Sequence, residues 1–584
     1  MHVFRVLPAA LVAGLFSLSA VAADPKPAVS KPAAKPKPAS SRWGFFDLKE
    51  LVSIGVDRQG ESLGGCVRPE YGYDDERPRV LIVFRNLEND FEKLIEAALA
   101  DDPAVNWSFI AFSADNPEKA ANVGGGNPTR GYPPQGGYYD HKTDPEARYV
   151  WRWIGMHAPD LVVEVDAGPG ETWYVPDSDL PQLKTLAAEL PGAKQLAESD
   201  ELVPQLVRSA PCDTGRIPAL RVVTDSENYI ARLEAAIKKT KLPPSAARLE
   251  IRKRLARTPA QIADQLLEVY GKQLGSVQYI PALAVVGRLR HERNAGGPTT
   301  PISPIALKAV EPYVSGAKPS HDPQKPNGSG TAGHLVFGEL AMLTGDKKYV
   351  DLVTSVADLA FEADGKPRPS MPAHSEMSDA VFMGCPILAQ AGKLTGDVKY
   401  FDACVRNFRF MQKLCVRKDG IYRHSPLDET AWGRGNGFPA LGLAWSLSEI
   451  PESYAGRPEL VEAFQKHLRA LKQHQDLTGC WHQVIDRDES YREFTATAMI
   501  TYAMMRGVRL GILERDEFDP HVQRAWQALK ARIAADGKLV DVCTGTGKQR
   551  SLRDYYDRPA ILGNDDRGGA MALMVTTEME LYSK

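Results

Sequence analysis

The sequence predicts a multidomain chain: an α/β domain over residues 43–240, then an all-helical domain over residues 245–584. Three observations lead there. The chain has 584 residues, well beyond the ~100–200 of one ordinary domain. Two short β-rich runs of the buried-strand type, residues 79–84 and 160–165, lie in the first part. Beyond residue 245 helical patterns dominate, and Leu343-Thr344-Gly345-Asp346-Lys347-Lys348-Tyr349 returns 51 residues later as Leu394-Thr395-Gly396-Asp397-Val398-Lys399-Tyr400.

The chain opens on an apolar stretch, 6–18, behind Arg5 and ahead of small residues at 19–23. That is the pattern of a secretory signal over 1–23, cleaved after Ala22 or Ala23, and too short to span a bilayer. It predicts a periplasmic or secreted protein without membrane insertion after cleavage. Residues 24–42 alternate Pro, Ala and Lys and form a linker that cannot bury a core.

In the α/β domain a helical stretch at 91–99 and a Gly/Pro-rich loop at 124–137 separate the two strands, which predicts a parallel or mixed sheet. Further on, Thr258 is the N-cap of a helix with Pro259 in its first turn. In each copy of the repeat a helix ends, Gly and Asp make the turn and cap, and a new helix begins. About 50 residues is one helical hairpin, and the rest of the chain holds about six. A closed toroid and an open solenoid both fit that period.

Charge is balanced, 71 Lys+Arg against 74 Asp+Glu, which argues against nucleic acid as the main partner. Local Arg and His residues can still hold an anionic small substrate. The seven cysteines are scattered and form no CxxC pair, so they predict buried thiols or one or two bridges, and no cysteine-rich zinc site.

Three clusters could bear chemistry. Asp379, within Ser375-Glu376-Met377-Ser378-Asp379, stands where a helix N-cap is expected. A capping Asp, worth about 1 kcal/mol, is the structural alternative to a functional carboxyl. The second cluster joins 420–424 to Trp432-Gly433-Arg434-Gly435-Asn436-Gly437. That glycine content predicts a loop, with a Trp face for a sugar ring, an Arg fork for a carboxylate and an Asn amide; a tight turn with its Trp in the core is the alternative. The third, 490–499, puts small residues at the start of an inward-facing helix, which suits close packing as well as it suits substrate contact.

Taken in order, Ser378-Asp379, Gly420-Ile421-Tyr422-Arg423-His424, Trp432-Gly433-Arg434-Gly435-Asn436-Gly437, Ser490-Tyr491-Arg492-Glu493, Val542-Cys543-Thr544-Gly545-Thr546-Gly547 and Gly563-Asn564-Asp565 resemble the unsaturated glycuronyl and rhamnogalacturonyl hydrolases, glycoside hydrolase families 88 and 105. The resemblance implies an (α/α)6 six-hairpin barrel, and so the toroid. It also implies unsaturated uronic-acid oligosaccharides as substrates, with no metal and no cofactor. Its chemistry is hydration of the C4=C5 bond of a 4-deoxy-hex-4-enuronosyl residue, with Asp379 as proton donor. His424 and Arg434 match positions that hold the uronate and the reacting water, Trp432 stacks on the ring, and Asn436, His374 and His334 join the binding set. The family pattern carries a second Asp one hairpin earlier; here the turn reads Asn327-Gly328-Ser329-Gly330-Thr331-Ala332-Gly333-His334, with no carboxylate. His334 takes over part of that role, the substrate differs, or activity is lost.

The first domain resembles a zinc carboxypeptidase through residues 55–63, 79–83, 115–117 and 126–130. Leu87 stands where that family has a ligand His, and the strand ending at Asp166 lacks its His as well. A catalytic zinc needs about three protein ligands, so the resemblance implies a degenerate, metal-free binding or structural module. His141 and His157 are then surface or capping residues. Three functions follow: an exported hydrolase of unsaturated uronyl oligosaccharides, a carbohydrate-binding protein on an inactive barrel, and, least supported, a metallopeptidase.

Overall fold

The computed structural model describes residues 51–57, 60, 62–67, 75–85, 104–111, 131–136, 139, 141–142 and 145–584, apart from 227, 298, 374 and 375. The secretory signal, the linker, the helix expected at 91–99, Leu87 and His374 lie outside the described residues.

The first domain is built on an eight-stranded mixed sheet: β1 (Leu51–Val56), β2 (Ser62–Val67), β3 (Arg79–Phe84), β4 (Asn106–Ala111), β5 (Leu161–Ala167), β6 (Glu171–Pro176), β7 (Lys194–Leu196) and β8 (Ala219–Thr224), in the spatial order β1-β2-β4-β3-β5-β8-β6-β7. Its centre is parallel, with β3 between β4 and β5 in a register running from Val80 opposite Leu161 to Phe84 opposite Val165. Every residue of β3 is buried, as expected of a strand covered on both faces. Helix α1 (Pro145–His157) is buried along nearly its whole length, and α2 (Asn228–Thr240) turns Tyr229, Ile230, Leu233, Ala236 and Ile237 inward.

Helix α3 (Ala246–Ala256) leads into the second domain. There follow α4 (Pro259–Leu267), α5 (Tyr279–Gly296), α6 (Pro304–Val314), α7 (Gly328–Gly333), α8 (Leu335–Thr344), α9 (Lys347–Ala357), α10 (Ala380–Thr395), α11 (Val398–Cys415), α12 (Gly433–Glu449), α13 (Arg457–Lys472), α14 (Phe494–Arg509), α15 (Arg515–Arg532) and α16 (Asp566–Tyr582). Six inner positions form a ring, in which α5 meets α7 and α8, these meet α10, and α10, α12, α14 and α16 follow until α16 returns to α5. Outer helices back them, and α4, first in sequence, packs on α16 at the end of the chain, so the toroid is closed. Burial follows position. Inner α12 is buried at every residue but Ser448, whereas outer α11 buries Tyr400, Cys404, Phe408, Met411 and Cys415 at helical spacing.

The 51-residue repeat is the joint between inner and outer helices. Gly345 ends α8 and Gly396 ends α10, both with positive φ, 70° and 74°. Asp397 then caps α11 through Lys399 N, while Asp346, at the matching place, makes no cap bond and pairs with Lys348 instead. At the other end, Thr258 forms a full capping box with Gln261.

The two domains are packed together. The ring of Tyr139 stacks on Tyr491 at 5.0 Å, Arg152 Nη1 lies 2.5 Å from Asp541 Oδ1, and Tyr139 donates to the same oxygen. Asp541 belongs to β9 (Leu539–Cys543), which pairs with β10 (Ala560–Gly563) beside the start of α16.

Two expectations about histidines part company here. His141 is exposed and forms an ion pair with Asp557 of the second domain at 2.5 Å. His157 is a core residue, not a surface one: its Nε2 lies 2.7 Å from Ser108 Oγ, and burial holds its pKa well below the ordinary value. It ends α1 against the sheet, where the chain has no solvent to offer it.

Candidate active site

The starts of the inner helices carry polar side chains of the sequence motifs, His334 before α8, Asp379 before α10, Trp432 and Arg434 at α12, Glu493 before α14 and Asp565 before α16, and with them Tyr279 on α5 and Arg567 on α16, which no motif marked. Because every inner helix returns through an outer partner, these starts gather at one end of the ring.

Asp379 has the position of an N-cap and not its chemistry. Its backbone is already helical (φ −50°, ψ −31°) and its carboxylate accepts no helix N–H. The side chain points to His424, with Oδ2 3.2 Å from Nε2, close enough for an ion pair but off the hydrogen-bond line. Both atoms are buried, and neither has a hydrogen-bond partner among the described residues. Such atoms are costly unless a ligand or water completes them. Ser378 fixes this arrangement: its hydroxyl donates to Gly435 O at 2.6 Å and its N–H donates to His424 O at 2.9 Å.

His424 is held from behind by Tyr555, whose hydroxyl lies 2.9 Å from Nδ1. The N–H of Gln549 donates to that same phenol oxygen, and burial raises the Tyr555 pKa. The phenol proton is therefore directed to Nδ1, which leaves the imidazole proton on Nε2, facing Asp379. Tyr555 sits on a short helix, Leu552–Tyr556, and no local pattern in the sequence marks it. Arg553 and Asp557, its neighbours, reach Asp57 O and His141 of the first domain.

The Trp-Gly-Arg-Gly-Asn-Gly segment, expected to be a loop, is the first turns of α12, and Gly433, Gly435 and Gly437 all have negative φ. These glycines serve close approach. A Cβ on Gly433 would lie 2.4 Å from His482 O, and one on Gly435 3.0 Å from Ser378 Oγ. Tertiary packing outweighs the poor helix propensity of glycine.

The three functional side chains of that segment also differ from expectation. Trp432 is 1% exposed and packs against both His424, 4.4 Å away, and Arg434, whose guanidinium is 4.6 Å from its ring. Neither face is open to a sugar. Arg434 donates to Cys543 O at 2.6 Å, Thr544 O at 2.7 Å and Thr495 Oγ1 at 3.4 Å. Both of its Nη groups hold the loop after β9, and only the buried Nε is left without a partner among the described residues. Asn436 accepts from Tyr422 N and donates to Tyr422 O and Trp432 O, which brackets the His424 strand against α12.

His334 is fully buried, and its Nδ1 donates to Gly330 O at 2.8 Å. Burial brings its pKa down to about 4, so it is neutral near pH 7 and its unpartnered Nε2 is a bare acceptor. The turn before it abuts α10: a Cβ on Gly328 would lie 3.1 Å from Met383 Cβ, one helical turn beyond Asp379. Asn327, in that turn, caps α7 through Gly330 N. Glu493 is a capping carboxylate, accepting from Thr495 N, Ala496 N and Cys543 N.

Among the described residues no group of three or more His, Cys, Asp or Glu could hold a metal ion. In the first domain Glu164 is buried against Arg221 at 2.7 Å, and Asp166 lies 3.8 Å from Arg85.

Residues 331–583 match the family Glycosyl Hydrolase Family 88. Protein Atu3128 of Agrobacterium fabrum is 27% identical over 234 residues, covering 35% of this chain and all of its own. The unsaturated rhamnogalacturonyl hydrolase YesR of Bacillus subtilis is 24% identical over 254 residues, 40% of this chain and 71% of its own. Among solved structures, a family 105 glycoside hydrolase of C. acetobutylicum aligns with a TM-score of 0.48 at 20% identity, over 55% of this chain and 99% of its own. The carboxypeptidase likeness of the first domain remains a resemblance of its sequence.

Proposed function

We infer, from a C-terminal region whose residues 331–583 match Glycosyl Hydrolase Family 88, that the protein removes 4-deoxy-hex-4-enuronosyl residues from lyase-generated oligosaccharides by hydrating their C4=C5 bond. One observation carries the reading: a carboxylate that caps no helix, Asp379 Oδ2, and an imidazole nitrogen, His424 Nε2, meet at 3.2 Å with both atoms buried and without a hydrogen-bond partner among the described residues. A protonated Asp379 gives its proton to C4, and water adds at C5. The water's second proton returns to the carboxylate, so the acid is regenerated. The C5 hemiketal then opens to a ketone, and the C1 hemiacetal it leaves behind collapses to an aldehyde and releases the remaining sugar. One group working in both directions is ordinary general acid–base catalysis. His424, its proton fixed on Nε2 by Tyr555, orients the water. The neutral His334 accepts from a sugar hydroxyl, and His374, just ahead of Asp379, completes the set. Six helix N-termini around the site favour an anionic sugar.

The first domain is a buttress, since Val56, Tyr139 and Tyr149 share one apolar cluster with Trp432, Tyr491 and Tyr555. Residues 1–23 add export. The absence of a carboxylate in the turn 327–334 favours a second reading, sugar binding without turnover. Loss of the ultraviolet absorbance of the conjugated enol acid, with one deuterium appearing at C4 in heavy water, supports hydration. Binding with unchanged absorbance supports the second reading instead.

A further inference from the structure

Two guanidinium groups meet on one carbonyl. Arg434 Nη1 donates to Cys543 O at 2.6 Å, and Arg567 Nη1 donates to the same oxygen at 3.2 Å. Their heads are therefore neighbours at the mouth of the ring, yet they differ in what they can still offer. Arg434 is 2% exposed and its other Nη donates to Thr544 O. The Arg567 side chain is 20% exposed, and its other contact, Asp565 Oδ2 at 3.3 Å, also uses Nη1. Its Nε and Nη2 donate to none of the described residues. Space lies over that edge, because a Cβ built on Gly545 would meet nothing nearer than Nη2, at 3.9 Å, and one on Gly547 nothing within 4 Å.

We propose that Arg567 holds the carboxylate of the uronyl substrate through its Nε and Nη2, so that the cation reading the substrate's charge comes from α16 and not from Arg434. This deepens the reading of Asp379 as proton donor and rests on it. Contacts run without a break from one residue to the other: Arg567 and Arg434 share Cys543 O, Arg434 covers Trp432, Trp432 packs on His424, and His424 faces Asp379. Tyr279, buried at the start of α5, feels the charges of Arg434, Arg567, Asp379 and Asp565 together, so all four border one region. Asp565 does not compete for the free edge. It accepts from Gly568 N as the cap of α16 and holds Nη1, which orients Nε and Nη2 outward. That edge of a guanidinium matches the two oxygens of a carboxylate, a geometry that lysine cannot reproduce.

The test measures binding apart from turnover. In an Asp379→Asn background, an unsaturated uronyl disaccharide and its methyl ester are titrated by calorimetry. The acid is expected to bind about ten- to hundredfold more tightly than the ester. Arg567→Met in that background brings the acid down to the ester, leaves the ester unchanged, and is only partly rescued by Arg567→Lys. In the active chain the same change raises KM and leaves kcat within a few fold. Should Arg567→Met melt early, Arg567→Gln, which keeps a donor for Cys543 O, carries the same comparison. An acid preference that survives these variants, or no acid preference or binding in the Asp379→Asn parent, overturns the proposal. A wild-type chain that never lowers the enol-acid absorbance overturns the hydration reading instead, and the titration still decides the role of Arg567.

Discussion

Asp379 stands at the first turn of α10 with its Oδ2 3.2 Å from His424 Nε2 and none of its oxygens on a helix N–H. A capping Asp would accept from the second or third N–H of its helix. Here the carboxylate is turned across the ring toward a histidine that Tyr555 fixes from the far side at 2.9 Å. The helix start supplies position, and the cap, whose loss a substitution would otherwise bring, is not there to lose.

Tyr555→Phe removes the hydroxyl that orders His424. The expected cost is about 1 kcal/mol of stability, with kcat lowered roughly tenfold, less than loss of a general acid would bring. Nitrogen-15 shifts of His424 should report the Nε2-protonated tautomer in the wild type and a mixture in the variant. Unchanged shifts would show that the phenol does not set the tautomer.

His334 makes stability depend on acid. In the unfolded chain its imidazole titrates near the ordinary 6.5; in the fold, burial and then the nearby His321 bring it to about 4, against the opposing pull of Gly330 O. Above 6.5 both states are neutral. Between 6.5 and 4 the unfolded chain takes up a proton that the folded one refuses, so stability falls as pH falls, by at most about 3 kcal/mol. His157 and His467 are also buried with lowered pKa and act in the same sense. Urea unfolding across this range should show a shallower acid limb for His334→Gln, by about one proton.

Arg152→Met strands a charge between the domains. Asp541 is buried, and Arg152 Nη1 at 2.5 Å is its cation. Breaking one side of such a pair costs about 3–5 kcal/mol, whereas removing both sides costs far less. Adding Asp541→Asn should therefore restore most of the stability in denaturant titrations.

Gly433→Ala tests why α12 begins in glycines. Helix propensity alone favours Ala by about 1 kcal/mol, but the new Cβ would lie 2.4 Å from a backbone oxygen, His482 O, which cannot rotate away. The expected sign is destabilising, by about 1–3 kcal/mol. A more stable variant would show that the approach can relax.

The same residues mark what the sequence made legible. The helix joints were readable because Gly345 and Gly396 satisfy a local rule, the left-handed residue after a helix. The glycines of 433–437 misled because their reason lies in His482 and Ser378, far along the chain. Asp379 could be ranked as a candidate, yet its freedom from capping needed the rotamer. Trp432, Arg434 and Asn436 could be ranked as candidates, but their contacts with one another and with Cys543 O are tertiary. Tyr555, 131 residues from the histidine it holds, carries no signature of its own.

The central claim is that Asp379 protonates C4. Its most direct test is the rate at which the enol-acid absorbance of a lyase-generated unsaturated oligosaccharide disappears with wild type and with Asp379→Asn, beside thermal melts of both. The account predicts a fall of at least ~100-fold in rate with the melting temperature nearly unchanged, because no cap bond is lost. An Asp379→Asn protein that keeps most of the wild-type rate would contradict it.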